Sequence, residues 1–218
     1  PMKPYVVPRA LELEELPAII EAYRKGAENA KKAGFDGVEI HAANGYLLDQ
    51  FLQSTTNRRT DEYGGVIENR ARLLLEATDA AISVWGASRV GVHLAPRGDS
   101  HTMGDHDPEA TFGYVAKKFG KRGIAFIFTR EHFNAPALTP QLKQSFGGTV
   151  IVNEQLTRES AQALLNAGIA DAAAWGKQFI ANPDLVARLQ ENGPFNELRT
   201  DVMYGGGETG YTDYPALG

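Results

Sequence analysis

His41, Asn44 and Tyr46 stand close together in the stretch Gly37-Val38-Glu39-Ile40-His41-Ala42-Ala43-Asn44-Gly45-Tyr46. An imidazole and a carboxamide can both donate to one oxygen, and a phenol can give up a proton. Such a trio can polarise a carbonyl or nitro group and protonate the carbon beside it. The same residues also allow a structural reading, in which a packed histidine and a helix-capping Asn close off a strand. A second cluster, Asp99, His101, Asp105, His106 and Asp107, has metal-ligating side chains but no fixed spacing. Asp107-Pro108 reads instead as a helix start, and the segment before it as a lid loop.

The trio needs an element to hold it. Val38 to Ile40 is a short apolar run that reads as a buried strand. His41 then sits at its carboxyl end, where α/β folds place their chemistry. The same local pattern recurs along the chain. A helix-like segment ends in a basic or small residue plus Gly, and an apolar strand follows: Gly34 before Phe35–Ile40, Gly123 before Ile124–Phe128, Gly168 before Ile169–Trp175. Each Gly stands where a left-handed helix cap is wanted. Arg89–Ala95 and Thr149–Val152 are two more strands. Continuous apolar runs of this kind belong to parallel sheets with helices outside.

Ile67, Ala71, Leu74, Leu75, Thr78, Ala81, Ile82 and Trp85 fall on one helical face. Asp107-Pro108, Asn182-Pro183 and Thr157 mark further helix starts. Repeated units of this sort build either a doubly wound sheet or part of a (β/α)8 barrel. Five strands are too few to close a barrel, and the chain has 218 residues where a full barrel takes about 250. The Pro-rich start resembles a loop whose upstream half is missing.

Bulk properties narrow the partners. The net charge is −5 with no basic stripe, which argues against nucleic acid. Cysteine is absent, so disulfides and thiolate metal sites are excluded, which fits a reducing compartment such as the cytoplasm. No apolar run has transmembrane length, so no membrane partner is expected, and the start does not read as a signal peptide.

Longer motifs surround the trio: Asn57-Arg58-Arg59-Thr60-Asp61-Glu62-Tyr63-Gly64-Gly65, Glu68-Asn69-Arg70-Ala71-Arg72, Ile180-Ala181-Asn182-Pro183-Asp184-Leu185, and Gly210-Tyr211-Thr212-Asp213-Tyr214-Pro215. In this order they resemble the Old Yellow Enzyme family of FMN-dependent ene-reductases. Val90-Gly91-Val92-His93-Leu94-Ala95-Pro96-Arg97, with Met103-Gly104-Asp105, resembles the bacterial branch of glycerol trinitrate reductase, xenobiotic reductase B and N-ethylmaleimide reductase. The resemblance covers nearly the whole chain. It implies that residues 1–218 are the C-terminal portion of a single FMN-binding (β/α)8 barrel domain, about five βα units from the fourth strand onward. The barrel would be completed by a complementary N-terminal portion of the same enzyme, as a separate chain or a nicked fragment.

The resemblance also implies roles. NADH or NADPH would reduce FMN, and the flavin would pass hydride to an activated alkene, nitro compound or nitrate ester. His41 and Asn44 would hold the small-molecule substrate's oxygen, and Tyr46 would protonate its carbon. His93 stands where most relatives have Arg, against the flavin, and can serve there protonated or as a neutral donor. Gly176 and Lys177 stand where the family usually has Gly-Arg for the FMN phosphate; Lys keeps the charge but loses the planar fork. Asn153 would bind the cofactor through its turn, with Glu154 pointing away from the phosphate. Tyr204 would line the substrate pocket beside the flavin. Arg130 and His132 are further residues that can face substrate. The rivals are a barrel fragment without catalysis and a half-barrel isomerase or aldolase.

Overall fold

A computed structural model describes residues 6–98, 102–133 and 136–217. Five parallel strands form one sheet: β1 (Val38–Ala42), β2 (Val90–Leu94), β3 (Phe126–Arg130), β4 (Thr149–Asn153) and β5 (Ala172–Ala173). Their spatial order is their chain order. A doubly wound sheet reverses direction at a switch point, and this one never does. The strands therefore wind one way, as in a barrel wall, and the fold is a five-unit part of a (β/α)8 barrel.

Alternation along each strand separates an outer face from an inner one. Val90, Val92 and Leu94 of β2, Ile127 and Thr129 of β3, and Val150 and Val152 of β4 are fully buried and face the helices. The inner face carries His41, His93, Phe128, Ile151 and Ala172 in one register row. Below that row Gly91 is paired with Phe126. A Cβ on Gly91 would lie 2.2 Å from the Phe126 ring, so only Gly makes room for it.

The outer layer starts with α1 (Leu16–Lys32), which packs on α4 (Arg72–Trp85). Leu73, Leu74, Leu75, Ala77, Thr78 and Ala81 of α4 are buried, a wider stripe than one helical face. Each large aliphatic side chain so buried stabilises by about 1.5–3 kcal/mol. The expected helix from Ile67 to Trp85 is interrupted. A short α3 (Ile67–Arg70) ends at Ala71, and α4 begins anew at Arg72. Arg70 is drawn inward there by bonds to Leu52 O, Gly65 O, Asp105 and Thr111.

The caps follow the sequence in most places. Gly34, Gly123 and Gly168 all have positive φ. Asp107 accepts from Ala110 N at 3.0 Å and opens α5 (Pro108–Arg122). Thr157 opens α7 (Arg158–Asn166) with a capping box to Ser160. Asn182 departs from expectation. It ends α8 (Lys177–Ala181), and its side chain bonds Gln178 O and Asn196 N. Helix α9 (Leu185–Gln190) starts two residues later, with Asp184 as its flanking residue. The strand expected over Ile169–Trp175 shrinks to Ala172–Ala173, although Asp171 N and Ala174 N still bond to β4. Among the described residues it pairs with β4 alone. Among the described residues, no helix is long and apolar enough to cross a membrane.

Candidate active site

The turn after β1 is built to present side chains. Tyr46 N donates to Ala43 O at 3.2 Å, and Asn44 and Gly45 between them have φ of 59° and 78°. Two successive positive φ values are the signs of a type I′ turn, which Asn-Gly tolerates best. Tyr46 then opens α2 (Leu47–Leu52) with its ring 64% exposed. Beneath the turn lies Asp49, fully buried, accepting from Gly45 N at 2.9 Å and Gln53 Nε2 at 2.7 Å. Burial pushes its carboxyl up to about 6, against the pull of those two bonds. Asp49 gave no signal in the sequence, because an Asp on a short helix reads as surface.

A ridge of rings crosses the inner face. His41 meets Tyr46 edge-on at 5.3 Å and His93 edge-on at 5.0 Å. His93 stacks on Phe128 at 4.2 Å, nearly parallel. Burial lowers the His41 pKa. His93 is driven down to about 4, first by burial and then by repulsion from His41 and Arg130. Its imidazole is therefore neutral at pH 7. Glu39 Oε1 lies 3.7 Å from Nδ1, too far for a hydrogen bond, and Glu39 is itself pushed towards its neutral form by burial. His93 Nε2 is buried and has no hydrogen-bond partner among the described residues.

Arg130 ends β3 on the same face. Its Nη1 donates to Asn44 Oδ1 at 2.6 Å, and its Nε pairs with Glu154 just past β4. Glu154 has φ of 107° and Gln155 of 50°, conformations that a residue with a Cβ rarely adopts. His132 Nε2 lies 3.8 Å from the other Glu154 oxygen. Asn153 spends its amide on Ala174 O at 2.6 Å, tying β4 to β5. Gly176 and Lys177 follow β5 at this same end, both exposed, and a Cβ on Gly176 would meet nothing. Tyr204 is 74% exposed on the tail, and no hydrogen bond or ring contact among the described residues joins it to the ridge.

The acidic loop resolves differently. Asp99 and His101 lie outside the described residues. Asp105 is buried against Arg70 at 3.1 Å and accepts from Ser54 N, Asp107 N and Thr111 Oγ1. Its carboxylate is consumed in anchoring the start of α5 to the segment after α2.

Residues 2–196 match the family model described as NADH:flavin oxidoreductase / NADH oxidase. A curated protein of Leishmania infantum, "Probable flavin mononucleotide-dependent alkene reductase", is 42% identical over 99% of the chain. "12-oxophytodienoate reductase 2" of Arabidopsis thaliana is 39% identical over 98%. Morphinone reductase, solved with tetrahydroNAD, superposes with a TM-score of 0.95 at 46% identity over 99% of the chain. The old yellow enzyme homologue of Zymomonas mobilis superposes with a TM-score of 0.95 at 43% identity, again over 99%. The chain spans 60% of the Leishmania protein, 59% of the Arabidopsis protein, 60% of morphinone reductase and 63% of the Zymomonas protein.

Proposed function

The chain belongs to the NADH:flavin oxidoreductase / NADH oxidase family, and from that premise we propose that it forms the greater part of an FMN-dependent reductase of activated alkenes, nitro compounds or nitrate esters. NADH or NADPH is the reductant, and an N-terminal portion of the same enzyme completes the barrel. We place the enzyme in the cytoplasm, in keeping with its lack of cysteine, and in the branch with nitrate-ester and xenobiotic reductases.

One observation carries the reading. The inner face holds an aromatic ridge beside polar atoms that the chain leaves unused: His93 Nε2, buried and orphaned, and Asn44 Nδ2, which has no partner among the described residues. A flat aromatic cofactor fits such a face, because the ridge offers stacking surface and the orphaned nitrogen needs a partner. FMN, when bound, supplies hydride transfer that no side chain can perform. His93 would meet it as a neutral hydrogen-bonding group. Gly176 and Lys177 would meet its phosphate, with Asn153 contributing through the backbone of its turn.

The remaining roles belong to the protein. His41 and Asn44 donate to the substrate oxygen, where negative charge grows as the neighbouring bond is reduced. Tyr46 gives its phenolic proton to the adjacent carbon. Tyr204, exposed on the tail, would line the substrate pocket beside the flavin. A Schiff-base aldolase is disfavoured, because none of the five strands carries a Lys.

The test is direct. Protein purified together with its N-terminal portion should be yellow, release FMN on denaturation, and bleach when NADH or NADPH is added without oxygen. Protein that is colourless and takes up no added FMN sinks the reading.

A further inference from the structure

Asn44 is useful to a substrate oxygen only if its amide nitrogen, not its amide oxygen, faces that oxygen. The two ends of a carboxamide have nearly the same shape, so something must set them. We propose that Arg130 is the positioning residue that does so, and that Glu154 holds Arg130 in place. The inference rests on the reading of Asn44 as a substrate ligand.

The chemistry of the contact decides the orientation. A guanidinium has only donors, so the atom of Asn44 that meets Arg130 Nη1 at 2.6 Å must be the oxygen. The nitrogen is thereby turned away from Arg130 and left as a donor with no partner among the described residues. Charge adds to geometry. A cation at the amide oxygen draws density from the group and strengthens the N–H as a donor. Arg130 is in turn fixed by its pairing with Glu154. Glu154 has φ of 107° and is followed by Gln155 at 50°, a backbone that costs free energy at two residues with side chains. That cost is offset where the carboxylate reaches the end of β3. The relay runs from the residue after β4 through the end of β3 to the turn after β1, passing over β2, and is closed by side chains alone.

The experiment is a double-mutant cycle in the flavin-loaded protein. The probe is 4-hydroxybenzaldehyde, a phenol titrated against the flavin absorbance, and kcat and KM for 2-cyclohexenone are read alongside. Arg130→Met should weaken the phenol about 5-fold, equivalent to about 1 kcal/mol. Asn44→Ala should weaken it at least as much. Arg130→Met added to Asn44→Ala should cost nothing further, because Arg130 acts through Asn44. Arg130→Lys keeps one donor for the amide oxygen and should recover part of the loss. Reduction of the flavin by NADH or NADPH should change less than phenol affinity. Equal losses from Arg130→Met in both backgrounds, or no loss in the parent, overturn the inference. His41→Ala separates the two levels. If it weakens the phenol and Arg130→Met does not, the substrate reading stands and the inference falls. If His41→Ala, Asn44→Ala and Arg130→Met all leave the phenol unmoved, both fall. Should Arg130→Met fail to fold, Arg130→Lys and Glu154→Gln complete the same cycle.

Discussion

Residues 57–72 and residues 41–46 are both dense in polar side chains, and the structure treats them in opposite ways. In the first segment the polar groups are spent inside the chain. Asn57 Nδ2 donates to Phe51 O and Tyr63 O, and Arg59 bonds Asp61 and Leu11 O. Arg70 reaches Leu52 O, Gly65 O, Asp105 and Thr111 at once. In the second segment, and in His93 beside it, donors are left over. Burying a polar atom without a partner costs about 1–3 kcal/mol. His93 Nε2 carries that cost, while the Arg70–Asp105 network in the neighbouring region avoids it. Motif density alone marks both segments; hydrogen-bond satisfaction separates them.

The largest expected effect breaks the brace. Arg70→Met should destabilise the protein by about 3–5 kcal/mol, because Asp105 would remain buried without its cation. Denaturant unfolding measures this directly. A loss below about 1 kcal/mol would mean that the buried network is not a brace. The next effect falls on the other region and on another quantity. Tyr46→Phe should slow alkene reduction about 100-fold, the lower end for losing a general acid, while stability moves by less than about 0.5 kcal/mol because the side chain is exposed. Nitrate-ester reduction, which protonates no carbon, should suffer less. Alkene turnover unchanged when the oxidative half-reaction is limiting would remove Tyr46 from the chemistry.

The division between the two regions was only partly legible in the sequence. The strands, the Gly caps and the caps at Asp107 and Thr157 are local signals and could be read directly. Asn182-Pro183 misled because the local pattern of a helix start was overridden by a tertiary bond to Asn196. The proximity of His41 and Tyr46 could be read because only a strand end and one turn separate them. The Arg130–Asn44 contact could not be read, since it joins residues 86 apart in sequence and exists only once β3 has been placed on the sheet. Arg130 could be suspected of facing substrate from its place at a strand end, but its partner could not be named. The short pairing of β5 also escaped, because an apolar run does not reveal whether a strand has neighbours on both sides.

The smallest effect sharpens the comparison from within the second region. Burial disfavours the charged form of both Asp49 and His93, and the two pull stability in opposite directions as pH changes. Asp49 has a folded pKa of about 6 against an ordinary 3.8. Between those values the unfolded chain has lost the proton and the folded chain keeps it, so stability falls as pH rises. His93 has a folded pKa of about 4 against an ordinary 6.5. Between those values the unfolded chain binds the proton and the folded chain does not, so stability rises with pH. Each slope is at most about 1.4 kcal/mol per pH unit, and over roughly pH 4 to 6 the two oppose each other. Single substitutions should unmask them. Measured as a difference from the parent protein, Asp49→Asn should make stability climb with pH across this window, and His93→Gln should make it decline. Taking differences removes the titrations that all three proteins share. Slopes of the same sign in the two variants would show that at least one of these groups is not buried neutral. The turn that carries Asn44 and Tyr46 would then rest on a charged Asp49, or His93 would meet its ligand as a cation.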